Sequence, residues 1–211
     1  MRMPENIQNE NITPSLAEFI QSRKRVIEEI EQGVAYWATH MEDVAFVARS
    51  IAIALELPSD TVEQVYKGGL LHDMGKSAAE MHSILMHPGK LTEAQWQIVK
   101  RHPVLGVEVI QTIFGINDPI ILDIAKQHHE KLDVSGYPNG LKGDEIAVPV
   151  RIVTVADICC SITRDRPTAP ARSREVAVFN LRQEADKGEL DSIIVETLAV
   201  NVFGLPARSA T

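Results

Sequence analysis

The stretch LLHDMGK, Leu70 to Lys76, closes an apolar run with a histidine and an aspartate side by side. An unpaired titratable group costs several kcal/mol to bury, roughly. A chain that places such groups repeatedly among apolar residues must fold so that they partner one another. This chain does so repeatedly. His40 lies mid-helix on an apolar background, and His102 falls at a helix end before Pro103. His128-His129-Glu130 closes another apolar segment, and Asp157 follows Val153-Thr154-Val155-Ala156. Any one of these alone reads as a helix cap, a dipole partner or a locally bonded core residue. Five histidines and two aspartates together need a shared partner. Imidazole and carboxylate suit Fe, Mn, Zn, Ni or Co, so the residues point to a multinuclear metal site in a helical core.

The surrounding pattern is helical. Pro14-Ser15 offers a helix start, with Leu16, Phe19, Ile20, Val26, Ile27 and Ile30 as a partial stripe, after a polar, Asn-rich arm. The next helix is expected from about 35 to 55, and another from a cap at Pro58-Ser59-Asp60 to His72. Thr92, with Gln95 three residues on, resembles a capping box. Further helices are expected at 92–101, 103–114, 119–131, 149–164, 173–187 and 191–203. Strand-like alternation is confined to Val150–Val155, whose neighbours favour a buried helix. The expected fold is all-α, a helical bundle of about seven to nine helices. Residues 1–33 form an N-terminal arm and helix, and residues 34–211 form one domain.

Composition bounds the function. Acidic residues outnumber basic ones, 29 to 21, for a net charge of −8, and no basic run exceeds Arg23-Lys24-Arg25. Duplex nucleic acid is therefore not expected as a partner. No apolar run is long enough for a membrane span and no leader opens the chain, so a cytoplasmic protein is expected. The adjacent Cys159 and Cys160 fit a reducing compartment.

The ordered set His40, His72-Asp73 and Asp157 resembles the HD superfamily of metal-dependent phosphohydrolases. His102-Pro103 with Gly106, PGKLTEAQW (88–96), HHEKLDVSGYP (128–138) and NGLKGDEIAVPVRIVTVAD (139–157) resemble its HD-GYP branch. The resemblance spans about residues 35 to 168. It implies an all-α fold, a metal centre and hydrolysis of cyclic di-GMP or a related cyclic dinucleotide. Carried over by position, it implies His40, His72, Asp73, His102, His128, His129 and Asp157 as metal ligands, with Asp73 bridging. It implies Lys76 at the substrate phosphate, and Tyr137 and Arg166 as substrate-binding residues. Asp73 and Lys76 would serve catalysis. The implied cofactor is a pair of divalent ions, Fe or Mn, with Zn, Ni or Co also accepted. A signalling-protein partner and a homodimer are compatible with such a domain.

The chain departs from that pattern at defined places. Tyr36 stands where a glutamate helps hold a third metal, so two ions are expected. Asp43 replaces an arginine, and Cys160 replaces a second aspartate and reads as a small buried residue. Segment 77–87 differs from the family's. Val134 replaces a glycine, which strains the loop if that position needs a positive φ. Thr168 and Ala169 replace an aromatic and a basic residue. The leading expectation is a cyclic dinucleotide phosphodiesterase working through a metal-activated water. The alternatives are a weak or inactive module that binds metal and a nucleotide or protein, and a hydrolase of another phosphorylated substrate.

Overall fold

The computed structural model describes residues 35–77, 81, 84, 90–165 and 170–208. The expected helix at 14–30, most of segment 77–87, and Arg166, Thr168 and Ala169 lie outside the described residues, as does the side chain of Tyr36. The chain divides into two compact units, Met1–Ala38 and Thr39–Thr211. The account below concerns the second.

The described elements are helical. They run α1 (Ala35–Ala54), α2 (Ser59–Leu71), a short 3-10 turn (Met74–Ser77), α3 (Glu93–Val99), α4 (His102–Phe114) and α5 (Pro119–Gln127). A second 3-10 turn (Gly143–Glu145) leads to α6 (Val148–Thr163), α7 (Arg174–Asp186) and α8 (Ser192–Thr197), which continues into a π-helical turn (Leu198–Val202). Among the described residues the only strand-like pairing is one antiparallel bridge, Asp133 to Lys142.

The apolar stripes explain the assembly. On α1, Met41, Val44, Ala45, Ala48, Ile51 and Ala52 are buried, a spacing of three and four that sets one face inward. Helix α6 is buried along most of its length through Val150, Ile152, Val153, Val155, Ala156, Cys159 and Cys160. It packs against α2, α5, α7 and α8. The alternating Val150–Val155 stretch is thus a helix buried on nearly every side, as its neighbours suggested. Cys159 and Cys160 are free thiols within this core, and burial pushes the Cys159 thiol up to about 12. Cys160 is driven higher still by burial, so it packs as a small neutral side chain.

Helix ends follow local chemistry. The Thr92–Gln95 capping box forms as expected, with Thr92 Oγ1 accepting from Gln95 N and Gln95 Oε1 accepting from Thr92 N. Asp118 and Asp191 each accept from two amides at the starts of α5 and α8. The expected side-chain cap at α2 is absent: Pro58 holds the cap position, and Asp60 lies in the first turn, where a carboxylate meets the helix dipole. Helix α5 stops at Gln127, short of the expected 131. At that end His128 N still donates to Ile124 O, its ring Nδ1 donates to Ala125 O at 3.0 Å and Ile124 O at 3.3 Å, and Glu130 N turns back to Gln127 O.

Two glycines let the elements approach. A Cβ on Gly69 would lie 2.8 Å from the Ala45 Cα, where α2 crosses α1. A Cβ on Gly75 would lie 2.0 Å from the His102 carbonyl oxygen and 2.6 Å from Gly106 N. That contact seats the Met74–Ser77 turn on the start of α4.

Val134 does take the glycine-like conformation, at φ 68°. An L-residue pays about 1–2 kcal/mol there, most for a β-branched side chain. The side chain is 53% exposed, so little packing offsets the strain. Val134→Gly is therefore expected to raise stability by about 1 kcal/mol after glycine's added chain entropy. That corresponds to a melting temperature higher by about 2–4 °C for a chain of this size, measured by thermal denaturation.

Candidate metal centre

Five parts of the chain deliver the polar groups. His40 sits near the head of α1, and His72 caps the end of α2 with Asp73 next to it. His102 opens α4, and His128 caps α5 with His129 following. Asp157 lies midway along α6. His102 therefore starts its helix rather than ending the previous one. All seven residues implied by the resemblance meet at one place.

They form two groups joined by Asp73. Its Oδ1 lies 3.2 Å from His102 Nε2 and 3.6 Å from His128 Nε2. Its Oδ2 lies 3.4 Å from His72 Nε2 and 3.9 Å from His40 Nε2. Asp157 Oδ1 lies 3.0 Å from His40 Nε2 and 3.8 Å from His72 Nε2. Donor atoms of Asp73, His102, His128 and His129 fall within 4.8 Å of one another, as do those of His40, His72 and Asp157. Lys76 Nζ donates to Asp73 Oδ2 at 2.6 Å.

The backbone fixes which nitrogen each ring presents. His72 Nδ1 meets Gly69 O at 2.7 Å, and His102 Nδ1 meets Val99 O at 2.8 Å. His128 Nδ1 meets the Ala125 and Ile124 carbonyls. A carbonyl oxygen only accepts, so each Nδ1 carries a proton and each ring, when neutral, aims a bare Nε2 inward. The same side chains that stop α2 and α5 thus aim ring lone pairs at Asp73. Thr154, one turn before Asp157 on α6, donates to the His128 carbonyl at 2.9 Å and ties that ring to the core.

Electrostatics agrees with this arrangement. Burial lowers His102 to about 4, with Lys76 and His128 adding to it against the pull of Asp73. Burial also lowers His128 and His129, the latter strongly and with His128 beside it. These rings are neutral near pH 7, the state in which imidazole binds a cation. Burial opposes a proton on His72, but Asp73 and Asp157 raise its pKa. Burial would raise the carboxyl of Asp73; Lys76 and His72, followed by His102 and His128, hold it well below its usual range. Asp157 is held low too, against its own burial, by His40 and His72.

Two observations decide what fits here. His102 Nε2 and His128 Nε2 stand 3.2 Å apart, and two bare ring nitrogens cannot bond each other. Asp73 Oδ1 and His72 Nε2 are buried without a hydrogen-bond partner. Orphaned lone pairs of this kind are rare in folded proteins and costly. A divalent cation satisfies them, and the donor set of imidazoles and carboxylates fits one.

Around the centre, Tyr137 stacks on His129 with ring centroids 4.7 Å apart and planes at 22°. Burial raises its hydroxyl far above the ordinary value, with Asp73 and Asp157 adding to the effect. Asp43 accepts from Arg164 Nη1 at 3.1 Å, so an ion pair links α1 to the end of α6 near His40. One residue escaped the sequence reading: Glu130, buried, accepts from Asn139 N at 2.6 Å and Leu141 N at 2.9 Å. It holds the loop that carries Tyr137. Its only signal in the sequence was a charge directly beside two histidines at the end of an apolar segment.

Known proteins resemble the chain in the same terms. A family model described as an HD domain matches residues 14–194. A 3′3′-cGAMP-specific phosphodiesterase of Vibrio cholerae is 34% identical over 77% of this chain and 37% of its own length. A cyclic di-GMP phosphodiesterase of Pseudomonas aeruginosa is 40% identical over 61% of this chain and 31% of its own. The chain thus spans about a third of the length of these relatives. A solved HDG"Y"P protein from Bdellovibrio bacteriovorus shares the fold, with a TM-score of 0.64 at 19% identity, covering 79% of this chain and 52% of that one.

Metal should bind folded protein and not the unfolded chain. Mn(II) at about 100 times its Kd is then expected to stabilise the protein by about 2.7 kcal/mol. His128→Ala and Asp157→Ala should each lower bound metal and that stabilisation, read by elemental analysis and thermal melting. Unchanged metal content and melting in both variants would rule the centre out.

Proposed function

This chain belongs to the HD-domain family, in its HD-GYP branch, and we propose that it is a metal-dependent phosphodiesterase acting on cyclic di-GMP or a related cyclic dinucleotide. The observation that supports this most is the division of Asp73, one oxygen facing each group of imidazoles. Asp73, His102, His128 and His129 would hold one divalent ion, and His40, His72 and Asp157 a second, with Asp73 shared. Fe or Mn is the first expectation, and Zn, Ni or Co also suits the donors. Two such ions supply a water of lowered pKa and positive charge for the phosphoryl oxygens.

The chain's own residues do the rest. The carbonyls of Gly69, Val99 and Ala125 hold the rings in place, so no reorganisation accompanies the reaction. Lys76 keeps a fixed positive charge beside Asp73, where it meets an anionic phosphodiester as a point charge. Tyr137 lies against His129 at the edge of the centre and would meet the nucleotide rather than the phosphate. Arg166 is proposed to add a second cation for the dinucleotide. Attack of water on phosphorus and departure of the ribose oxygen would open the ring to a linear dinucleotide.

Thr168 and Ala169, standing where the family has an aromatic and a basic residue, favour a second reading. In it the domain binds metal and nucleotide with little turnover. The two readings separate in one assay: protein reloaded with Mn or Fe(II) and offered cyclic di-GMP, with linear product measured. Turnover that requires metal, disappears in Asp73→Ala and falls roughly 10²–10³-fold in kcat in Lys76→Met is expected. Bound metal with no product from any of several cyclic dinucleotides would establish the second reading.

A further inference from the structure

Past His129 the chain leaves the centre, and a cation that the proposed chemistry does not use fastens it there. Lys131 Nζ forms an ion pair with Glu184 Oε2 on α7 and stands 3.6 Å from Glu189 Oε2 in the α7–α8 connection. The next amide, Leu132 N, donates to Glu189 O at 3.0 Å. Glu189 N in turn donates to Glu184 O at 3.0 Å, so the backbone brings both carboxylates to one spot. Lys131 is the cation between them. Lys187 reaches Glu189 Oε1 only at 3.9 Å and is 66% exposed, whereas Lys131 is 20% exposed and less screened by water.

The stretch after α5 depends on such an anchor. The rings of His72, His102 and His128 are each fixed by a carbonyl of a helix end. Among the described residues no carbonyl holds the ring of His129. It stacks on Tyr137 and lies beside His128 and His102, with centroids 4.1 Å and 5.0 Å away. Its place is therefore set by its backbone, which is tied before it by α5 and after it by Lys131 and Leu132.

We infer that Lys131 is a positioning residue for the ion proposed at Asp73, His102, His128 and His129, acting through His129 from outside the centre. This inference rests on the metal reading above and deepens it. The brace serves one group of donors and not the other. His40, His72 and Asp157 stand on α1, at the end of α2 and on α6, and no described contact of the Lys131 side chain reaches those elements. Without Lys131, Glu184 and Glu189 face each other as like charges and repel. The connection that holds Leu132 then moves off, and the backbone of His129 loses its downstream tie.

Metal binding tests this without turnover. Metal-free protein is titrated with Mn(II), and the free ion is measured by electron paramagnetic resonance. His129→Ala and His40→Ala mark which affinity belongs to which group. Lys131→Met is expected to weaken the affinity that His129→Ala loses by roughly tenfold, and to keep the one that His40→Ala loses. Lys131→Arg, which retains the cation, is expected to bind as the unsubstituted chain does. If Lys131→Met does not fold, Glu189→Gln is expected to give a smaller loss at the same group. Unchanged Mn(II) binding in Lys131→Met, or both affinities lowered alike, would overturn the role, the second outcome making the brace a general support of the fold. An unsubstituted chain that binds no Mn(II) would overturn the metal reading and this role together, a failure distinct from one seen in the variant alone.

Discussion

One buried carboxylate organises this fold. Asp73 sits where α2 ends, with four imidazole nitrogens and one ammonium within 4 Å of its oxygens. Burial opposes its charge, and Lys76 first among its neighbours restores it. The groups around it come from α1, α2, α4, α5 and α6, so the helices cannot shift without disturbing it. A carboxylate in this position is expensive by itself and stable only among partners of opposite or neutral character. The helix ends are therefore cut to aim side chains at one point.

Much of this was legible in the sequence. Apolar spacing on α1 and α6, the Thr92 capping box and the histidines at helix ends are local signals, and each became the element it suggested. The convergence of these seven side chains could be argued because scattered buried charge has no other economical arrangement. Two things were not legible. The early end of α5 comes with a tight turn, Glu130 N to Gln127 O, and with the His128 ring folded back onto the Ala125 carbonyl, neither of which periodicity encodes. The role of Glu130 depends on amides nine and eleven residues away. Pattern reading finds helices; it does not find what a loop folds back onto.

Three departures from the family pattern fall in different physical settings. Cys160 lies in the core, where burial keeps it a neutral thiol and the packing accepts it. Asp43 lies at the edge and finds a cation in Arg164, so the replaced charge is answered from the opposite helix. Val134 has no such answer and sits exposed at φ 68°.

These settings explain why the centre and its rim can diverge. The rings of His72, His102 and His128 are each held by a carbonyl of the helix end beside them, so these contacts do not run through the loops. The rim depends on longer connections: Glu130 holds the Tyr137 loop by two amides, and Lys100 lies over the Trp96 and Tyr137 rings. A substitution there changes the rim while the donor set keeps its geometry. The loops around the centre are accordingly free to change, whereas the helix ends that surround Asp73 are bound to one another by the charge they share.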